Sequence, residues 1–472
     1  MAGPTTRIAT LTTPARYPKA EGYNYLVGGT WFRNAATPQS PLRIYTKDSL
    51  AARTDRAGSP YENVLDIGYV FGRTDLSGGE GLDWSPRQLA LEQDQAALDE
   101  VRFWDSKNIS IRRPERGKPY AWCLSPQPEV WRTQAGLVDL ATSDDFLYVA
   151  FGTTVQWWAN WDDTAPVDSQ NTLTAIAKIV AAPTGDILAQ LANGSIEVFV
   201  NGSAGFVPVP GITNARNIWY AKGRFIVCQG TVASTTLREV QGTIALDVFD
   251  SLDADVHSVV SSGPAIVAAC SDGTLRSYVP EQANQTDPGS VNLVIRGRTD
   301  MPSGEVPYLL GSNASTLLVL TRTTNEGSQN TIRCYRAEVL DARFDYVVGQ
   351  LQLKREWADA FDTIDKKQNM ATSREEIFFF VQEAADEDSA WRFDLVTEGL
   401  SRHIVTPSTL DISIVVFDNE AGYISGDNIW YTGNTYLDEG YVITPNINFG
   451  LNTDISWLAT TIRAFGIESA GK

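Results

Sequence analysis

Short apolar strands separated by tight polar turns recur seven times between residues 137 and 432. The copies begin at intervals of 39, 39, 41, 50, 61 and 45 residues, at Leu137, Ile176, Ala215, Val256, Val306, Lys367 and Ile412. A period of roughly 40–50 residues that holds several short strands is the sequence signature of a β-propeller. The pattern therefore predicts a ring of blades built from hairpins.

The turn residues of the clearest copies support this prediction. Asn193-Gly194 and Asp272-Gly273 stand between apolar runs, and such pairs supply the positive φ angles of a two-residue hairpin turn. The continuous apolar run before each turn predicts a strand that is buried on both faces. The alternation of apolar and polar residues after the turn predicts a strand with one face exposed to solvent. The buried strands of the three looser copies are expected at Phe225–Gln229, Leu317–Leu320 and Ile377–Val381. We therefore predict an all-β fold with a seven-bladed β-propeller, and six blades remain the alternative.

The flanking segments predict a second unit beside the propeller. Residues 1–60 read as an extended arm, and residues 61–132 as a β-rich anchoring domain with one short amphipathic helix between Gln88 and Val101. The propeller is expected to span residues 133–440. Because the first and last strands of a propeller commonly meet, strands in residues 441–472 are expected to return to the anchoring domain. The two flanking segments would then form one discontinuous β-rich domain.

Composition and charge narrow the class of function. The chain has 57 acidic and 38 basic residues, a net charge of −19, which argues against specific binding to nucleic-acid backbones. The longest apolar runs are too short to span a bilayer, and residues 1–18 lack the apolar core of a signal peptide. The four cysteines show no metal-ligand spacing, so we expect small buried hydrophobes rather than a metal site.

The sequence carries no recognisable catalytic motif. The two histidines, His257 and His403, fall inside expected blades, where a lone histidine is usually structural. No Gly-x-Ser-x-Gly elbow and no His-x-x-Glu-His pair occurs. A glycosidase needs two carboxylates that flank a sugar, but acid pairs such as Asp144-Asp145 are common in so acidic a chain. We expect no enzymatic activity and no cofactor.

One aromatic cluster is the candidate recognition surface. Trp157, Trp158 and Trp161 stand beside Asp162 and Asp163, and aromatic rings beside carboxylates suit the stacking of a pyranose ring. The competing interpretation places these tryptophans between blades, at a blade edge and in a connecting loop, as packing residues. If the cluster binds glycans, host-surface glycans are the expected ligands.

The segment before the propeller carries a family resemblance. A strand ending near Phe71 is followed by the glycine-rich loop Asp75 to Trp84 and then by Arg102-Phe103-Trp104-Asp105-Ser106. This arrangement resembles minor tail proteins of tailed bacteriophages, in which a Ser-Gly-Gly-x-Gly loop and an Arg-Phe motif often precede a propeller-like region. The run Ile443 to Gly450 is similar to their return strand. Trp84, Phe103 and Trp104 are expected to form the core of the anchoring domain.

The resemblance implies a virion structural protein, assembled in the cytoplasm of a host bacterium. We expect a tail or tail-tip component that mediates assembly and host attachment, contacts other tail proteins and forms a symmetric homo-oligomer around the tail axis. One alternative is a nozzle or hub ring that gates DNA exit in a short-tailed phage. The other alternative is a glycan-binding or glycan-processing propeller of the cell envelope.

Overall fold

The structure is a computed structural model. It describes residues 25–27, 30–34, 42–46, 70–72, 105–107 and 109–112, and residues 121–443 apart from 283–290, 315, 325–329, 343–344, 361–369, 385–386, 396–397, 408–412, 419 and 437–440. The described strands that precede the propeller are β1 (Tyr25–Val27), β2 (Thr30–Asn34), β3 (Leu42–Thr46), β4 (Val70–Gly72), β5 (Asp105–Lys107), β6 (Ile109–Arg112) and β7 (Ala121–Leu124). Strands β1 to β4 form one antiparallel sheet in chain order, and β6 pairs with β7.

The first four blades follow one another as antiparallel sheets. Blade one contains β9 (Leu137–Thr142), β10 (Leu147–Phe151), β11 (Thr154–Trp158) and β12 (Asp168–Asn171). Blade two contains β13 (Ile176–Ala181), β14 (Ile187–Leu191), β15 (Ile196–Phe199) and β16 (Val207–Pro208). Blade three contains β17 (Ala215–Ala221), β18 (Arg224–Thr231), β19 (Ser234–Gln241) and β20 (Ile244–Leu252). Blade four contains β21 (Val256–Ser262), β22 (Ala265–Cys270), β23 (Thr274–Gln282) and β24 (Val291–Asp300).

The remaining blades depart from this regular plan. Blade five contains β25 (Val306–Asn313), β26 (Thr316–Thr324), β27 (Asn330–Ala342), β28 (Asp345–Val348) and β29 (Gln352–Ala360), because β27 is long enough to pair with two later strands. Blade six contains β30 (Ala371–Thr372), β31 (Glu376–Ala384), β32 (Glu387–Asp394) and β33 (Leu400–Pro407). Blade seven contains β34 (Ile414–Phe417), β35 (Glu420–Ser425), β36 (Asn428–Tyr436) and, from before blade one, β8 (Pro126–Thr133).

The first strand of each blade contacts the first strand of the next, and β34 of blade seven contacts β9 of blade one. The ring is therefore closed, and the prediction of an all-β, seven-bladed propeller is confirmed. Five first strands begin at the predicted residues Leu137, Ile176, Ala215, Val256 and Val306. The sixth and seventh begin at Ala371 and Ile414, while the predicted starts Lys367 and Ile412 lie outside the described residues.

Strand β8 closes the ring from the N-terminal side. It pairs antiparallel with β36, with Thr133 opposite Asn428 and Glu129 opposite Tyr431. The predicted boundary at residue 133 had placed this segment in the anchoring domain. It belongs to blade seven, because the fourth strand of that blade is supplied by the chain before blade one.

The segment that follows the propeller begins with a strand that returns toward the N-terminal side. Strand β37 (Tyr441–Ile443) pairs antiparallel with β5, and β5 and β6 both contact β33 at the rim of blade six. The Asp75–Trp84 loop, the predicted helix, Phe103, Trp104 and the rest of the return segment lie outside the described residues.

Hydrophobic packing between neighbouring blades supplies the core. The second strands β10, β14 and β22 are almost wholly buried, as their continuous apolar runs predict. Strand β15 is also fully buried, although alternation predicted a wet face. The reason is that adjacent blades pack face to face, with Phe199 against blade one and Val198 against blade three.

Candidate functional site

The tryptophans of the predicted recognition surface lie in the core between neighbouring blades. Trp157, Trp158 and Trp161 have relative exposures of 8%, 0% and 6%. Trp158 and Trp161 belong to a cluster formed by blades one and seven, whereas Trp157 packs toward blade two against Phe199, with ring centroids 5.3 Å apart. A sugar ring needs an accessible aromatic face, and these three faces are covered by protein.

Trp161 is the centre of the seam between blades one and seven. Its ring stacks on Tyr431 at 5.3 Å and 19°, and its Nε1 donates a hydrogen bond to the carbonyl of Phe417 at 3.0 Å. The ring also lies on the backbone of Gly422, where a Cβ would overlap it. This close approach explains why a residue without a side chain stands in the middle of β35.

The closing strand β8 adds Trp131 and Arg132 to the same seam. Trp131 makes edge contacts with Trp158 and Trp161 at 5.2 and 5.1 Å, and its Nε1 donates to the Trp161 carbonyl. The Arg132 guanidinium lies 3.8 Å from the centre of the Trp158 ring. The aromatic residues therefore join the first and last blades, and we call this group the seam cluster (Trp131, Trp158, Trp161, Phe417 and Tyr431).

The two carboxylates of the prediction do not complete a sugar site. Asp162 is exposed, while Asp163 Oδ2 accepts hydrogen bonds from the backbone nitrogens of Ala159 and Asn160 at 3.1 and 3.0 Å. Asp163 thus fixes the turn that places Trp161 in the seam. The prediction that these five residues form a recognition surface is wrong, because Trp158 and Trp161 are buried between blades one and seven and Trp157 is buried between blades one and two.

Polar residues on or directly before the first strands of blades one, two, three, four and seven lie around the axis of the propeller. Asp139 Oδ2 accepts from Ile179 N at 2.9 Å, Ser413 Oγ accepts from Leu140 N at 3.2 Å, and Ser258 Oγ accepts from Leu310 N at 3.2 Å. Each of these bonds joins one blade to the next. We call the group the axial belt, and its members are Asp139, Lys178, Asn217, Ser258 and Ser413.

Lys178 and Asn217 continue the belt. Lys178 Nζ donates to Asn217 Oδ1 at 2.6 Å, and Asn217 Nδ2 donates to the carbonyl of His257 at 3.5 Å. The belt therefore links blades seven, one, two, three, four and five in succession. The polar groups of the belt form hydrogen bonds between neighbouring blades, and these bonds make the centre of the disc rigid.

Asp139 is the most deeply buried carboxylate of the belt. Burial raises its pKa above the usual value of 3.8, although the positive charge of Lys178 and the hydrogen bonds from Ser413, Ile179 and Leu140 act in the opposite direction. Desolvation of the charged form is the larger effect. The contribution of Asp139 to the stability of the folded protein therefore depends on pH.

The sequence contained a signal for the belt. Asp139, Lys178 and Asn217 recur at intervals of 39 residues, and each follows a β-bulge in a first strand. A polar residue at a constant position in successive repeats marks one ring of the folded propeller. The side-chain types differ, so only the spacing could have revealed them.

Acidic side chains lie at the β9–β10 turn of blade one and at the β13–β14 turn of blade two. Asp144 and Asp145 in the β9–β10 turn and Asp186 before β14 surround two tyrosines. Burial, followed by these carboxylates, raises the pKa values of Tyr148 and Tyr220. A surface of this charge attracts lysine and arginine side chains of a partner.

Three cysteines are described, and all are buried thiols. Burial raises the pKa values of Cys228, Cys270 and Cys334 to about 12, so they stay protonated at neutral pH. The prediction that they act as small hydrophobes is confirmed for these three. Within the described ranges, no group of three or more histidine, cysteine or acidic side chains is placed to hold a metal ion.

Known proteins resemble this chain in fold. No protein-family model matches it, and no curated protein sequence matches it. The β-propeller domain of Myceliophteria thermophila Cps50 (Swd1) matches with a TM-score of 0.46 and 13% identity, over 65% of this chain and 100% of that one. The WD40 β-propeller domain of Doa1 matches with a TM-score of 0.43 and 11% identity, over 65% of this chain and 96% of that one. A chain in the structure of the mitotic checkpoint complex matches with a TM-score of 0.42 and 11% identity, over 68% of this chain and 97% of that one.

The described part of the chain contains no helix with the length and apolar character needed to cross a membrane.

Proposed function

We propose that this chain is a non-catalytic binding protein, a component of the tail or tail tip of a tailed bacteriophage. In this role it mediates assembly with other tail proteins and attachment to the host. It acts in the virion after assembly in the bacterial cytoplasm. The proposal is carried by two features together: hydrogen bonds of the axial belt join neighbouring blades into one disc, and strands β5 and β6 from outside the propeller contact the rim at blade six.

The disc suits a binding role because its polar interior is used for rigidity. The axial belt joins successive blades, and the seam cluster joins blades one and seven. A rigid body that binds partners on its surface loses little conformational freedom on binding. Broad, fixed surfaces of this kind are what a tail subunit offers its neighbours.

The rim supports the same role. Strands β5 and β6, from outside the propeller, contact β33 of blade six, and β37 pairs with β5. The chain thus covers one part of its rim with its own added strands. Among the described strands, the outer edges of blades one to four have no added strand hydrogen-bonded to them, and strand addition at such an edge is a common mode of protein recognition.

The resemblance in sequence to phage minor tail proteins is the reason for proposing a phage tail as the assembly. The Asp75–Trp84 loop, the Arg102–Ser106 motif and the Ile443–Gly450 run favour a tail protein over other propeller scaffolds. The glycan-binding alternative depended on the tryptophan cluster, whose rings are buried. Host attachment through another surface remains part of the proposal.

Mass spectrometry and immunogold labelling of purified particles test this proposal. Particles released by the bacterium that carries the coding sequence should contain the chain in several copies, with gold at the tail. Particles of an otherwise intact phage that lack the chain would overturn the proposal. A capsid protein labelled in parallel controls for access of the antibody.

A further inference from the structure

Three successive positions of the axial belt carry the functional groups that an amide-forming reaction needs. Asp139 on β9 supplies a carboxyl group, Lys178 on β13 an amine and Asn217 on β17 a carboxamide. A lysine amine becomes a nucleophile toward carbonyl carbons when its surroundings favour the uncharged form. Reaction between the lysine and the asparagine therefore requires that the amine reach the carboxamide carbon and that it lose its charge.

The amine of Lys178 lies against the side-chain amide of Asn217. Its Nζ atom is 2.6 Å from Oδ1 of Asn217. Because a C=O bond is about 1.2 Å long, the carboxamide carbon Cγ lies within about 3.8 Å of Nζ. Reacting atoms that are placed for attack are roughly 3–3.5 Å apart, so a small rotation of the lysine side chain completes the approach.

The carboxamide of Asn217 is held at both of its polar atoms. Oδ1 also accepts a hydrogen bond from the backbone nitrogen of Ile218 at 2.9 Å. Attack at Cγ places negative charge on this oxygen, and a fixed backbone N–H group stabilises such a charge. The leaving atom Nδ2 donates to the carbonyl of His257 at 3.5 Å. The oxygen and the leaving group are therefore oriented before attack.

The surroundings of Lys178 favour an uncharged amine. The ring of the buried Trp219 lies 5.5 Å from Nζ and covers one side of it. Asp139 and Lys178 interact through their charges, but burial raises the pKa of the Asp139 carboxyl and favours its neutral form. Transfer of one proton from the ammonium group to the carboxylate gives an uncharged pair, which costs less to bury than two charges. Lys178 can then present a neutral amine to Asn217.

We propose that Lys178 and Asn217 join in an isopeptide bond, an amide between their side chains that crosslinks blades two and three. The Nζ–Cγ bond forms and the Cγ–Nδ2 bond breaks. The two protons that the lysine ammonium group loses leave with Nδ2 as ammonium ion, and no oxidant or reductant is consumed. Asp139 takes the first of these protons and returns it to the leaving nitrogen. The bond would fix one contact of the axial belt covalently, whatever assembly the disc belongs to.

Mass spectrometry of the purified full chain tests for this bond. The intact mass should be lower than the mass calculated from the sequence by about 17 Da, the mass of ammonia. Trypsin does not cut after an acylated lysine, so residues 133–216 should stay in one piece and carry residues 217–222 as a branch. An unlinked chain gives residues 133–178, 179–216 and 217–222 as separate peptides.

Three variants assign the bond to these side chains. Lys178→Arg keeps the positive charge but removes the nucleophilic amine, so both the mass loss and the branch should disappear. Lys222→Arg, at an exposed position in the β17–β18 turn, is the matched control and should keep both. Asp139→Asn cannot take a proton and should leave most of the chain unlinked. Circular dichroism equal to that of the original chain shows that each variant folds.

A folded chain that has its full calculated mass overturns the proposal. A mass loss without the branched peptide does so as well, because a succinimide at Asn193 or Asn201, each followed by glycine, also releases ammonia. A complete branch in the folded Asp139→Asn protein would contradict the role of Asp139. These measurements use purified chain alone, so their failure leaves the particle test above unaffected.

Discussion

Trp161 shows how a residue that looks like a ligand platform in the sequence becomes part of the core. Its ring stacks on Tyr431, contacts Trp131 and covers the backbone of Gly422. Trp161→Ala removes these contacts and leaves a cavity between blades one and seven. We expect a loss of about 3–5 kcal/mol in the free energy of unfolding, measured by urea denaturation.

The matched control for this substitution is Leu173→Ala in the exposed β12–β13 connection. It should change the free energy of unfolding by less than about 0.5 kcal/mol. A Trp161→Ala protein as stable as the Leu173→Ala protein would contradict the position of Trp161 in the seam cluster.

Asp139 gives a prediction about pH. Because its pKa is raised in the folded protein, its stabilising contribution is complete below its unfolded pKa and is lost as the pH rises through the folded pKa. Asp139→Asn removes this titration. The free energy of unfolding of the variant, relative to the original protein, should therefore increase as the pH rises above about 4.

Urea denaturation of both proteins between pH 4 and pH 7, in steps of about half a unit, measures this difference. A difference that is constant with pH, or that falls as the pH rises, would contradict a raised pKa at this position.

At the scale of strands, the sequence predicted hairpins well where glycine turns mark them. Gly194 and Gly273 have φ angles of 79°, but each turn has three residues rather than the predicted two, with the glycine in the left-handed position at its end. First strands β9, β13, β17, β21 and β25 begin at the predicted residues, because each apolar run follows a polar connection. Local signals of this kind need no knowledge of distant contacts.

Ring closure depended on contacts that no local pattern contains. Strand β8 and β36 are paired although Thr133 and Asn428 lie 295 residues apart. The burial of Trp158 and Trp161 follows from the same pairing, so the site prediction and the domain boundary were wrong for one reason. The inter-blade spacing of the axial belt was visible, but its hydrogen bonds were not.

A disulfide across this seam tests the pairing of β8 with β36. Thr133 and Asn428 are directly opposite, with Oγ1 and Oδ1 2.6 Å apart. Oxidised Thr133→Cys/Asn428→Cys protein should gain about 2–4 kcal/mol over its reduced form, because the bridge restricts the unfolded chain. Thermal denaturation of the oxidised and reduced forms measures the gain, and a failure to form the bridge would argue against the register.

At the scale of the whole molecule, the belt, the seam and the rim have separate roles. The axial belt fixes neighbouring blades, the seam cluster closes the ring, and the rim carries added strands at blade six. We propose that the acidic turns of blades one and two, with Asp144, Asp145 and Asp186, are available to basic side chains of partners. A tail component needs such separation, since contacts with several neighbours must not disturb the disc.

Cryo-electron microscopy of the intact particle, with this chain traced in the density, is the decisive test of a role in the tail. We expect closed seven-bladed discs in several copies around the tail axis, with neighbouring subunits bound at the rim or at the acidic turns of blades one and two. Tail density that contains no such disc, or a disc whose rim and faces touch no other subunit, would contradict it.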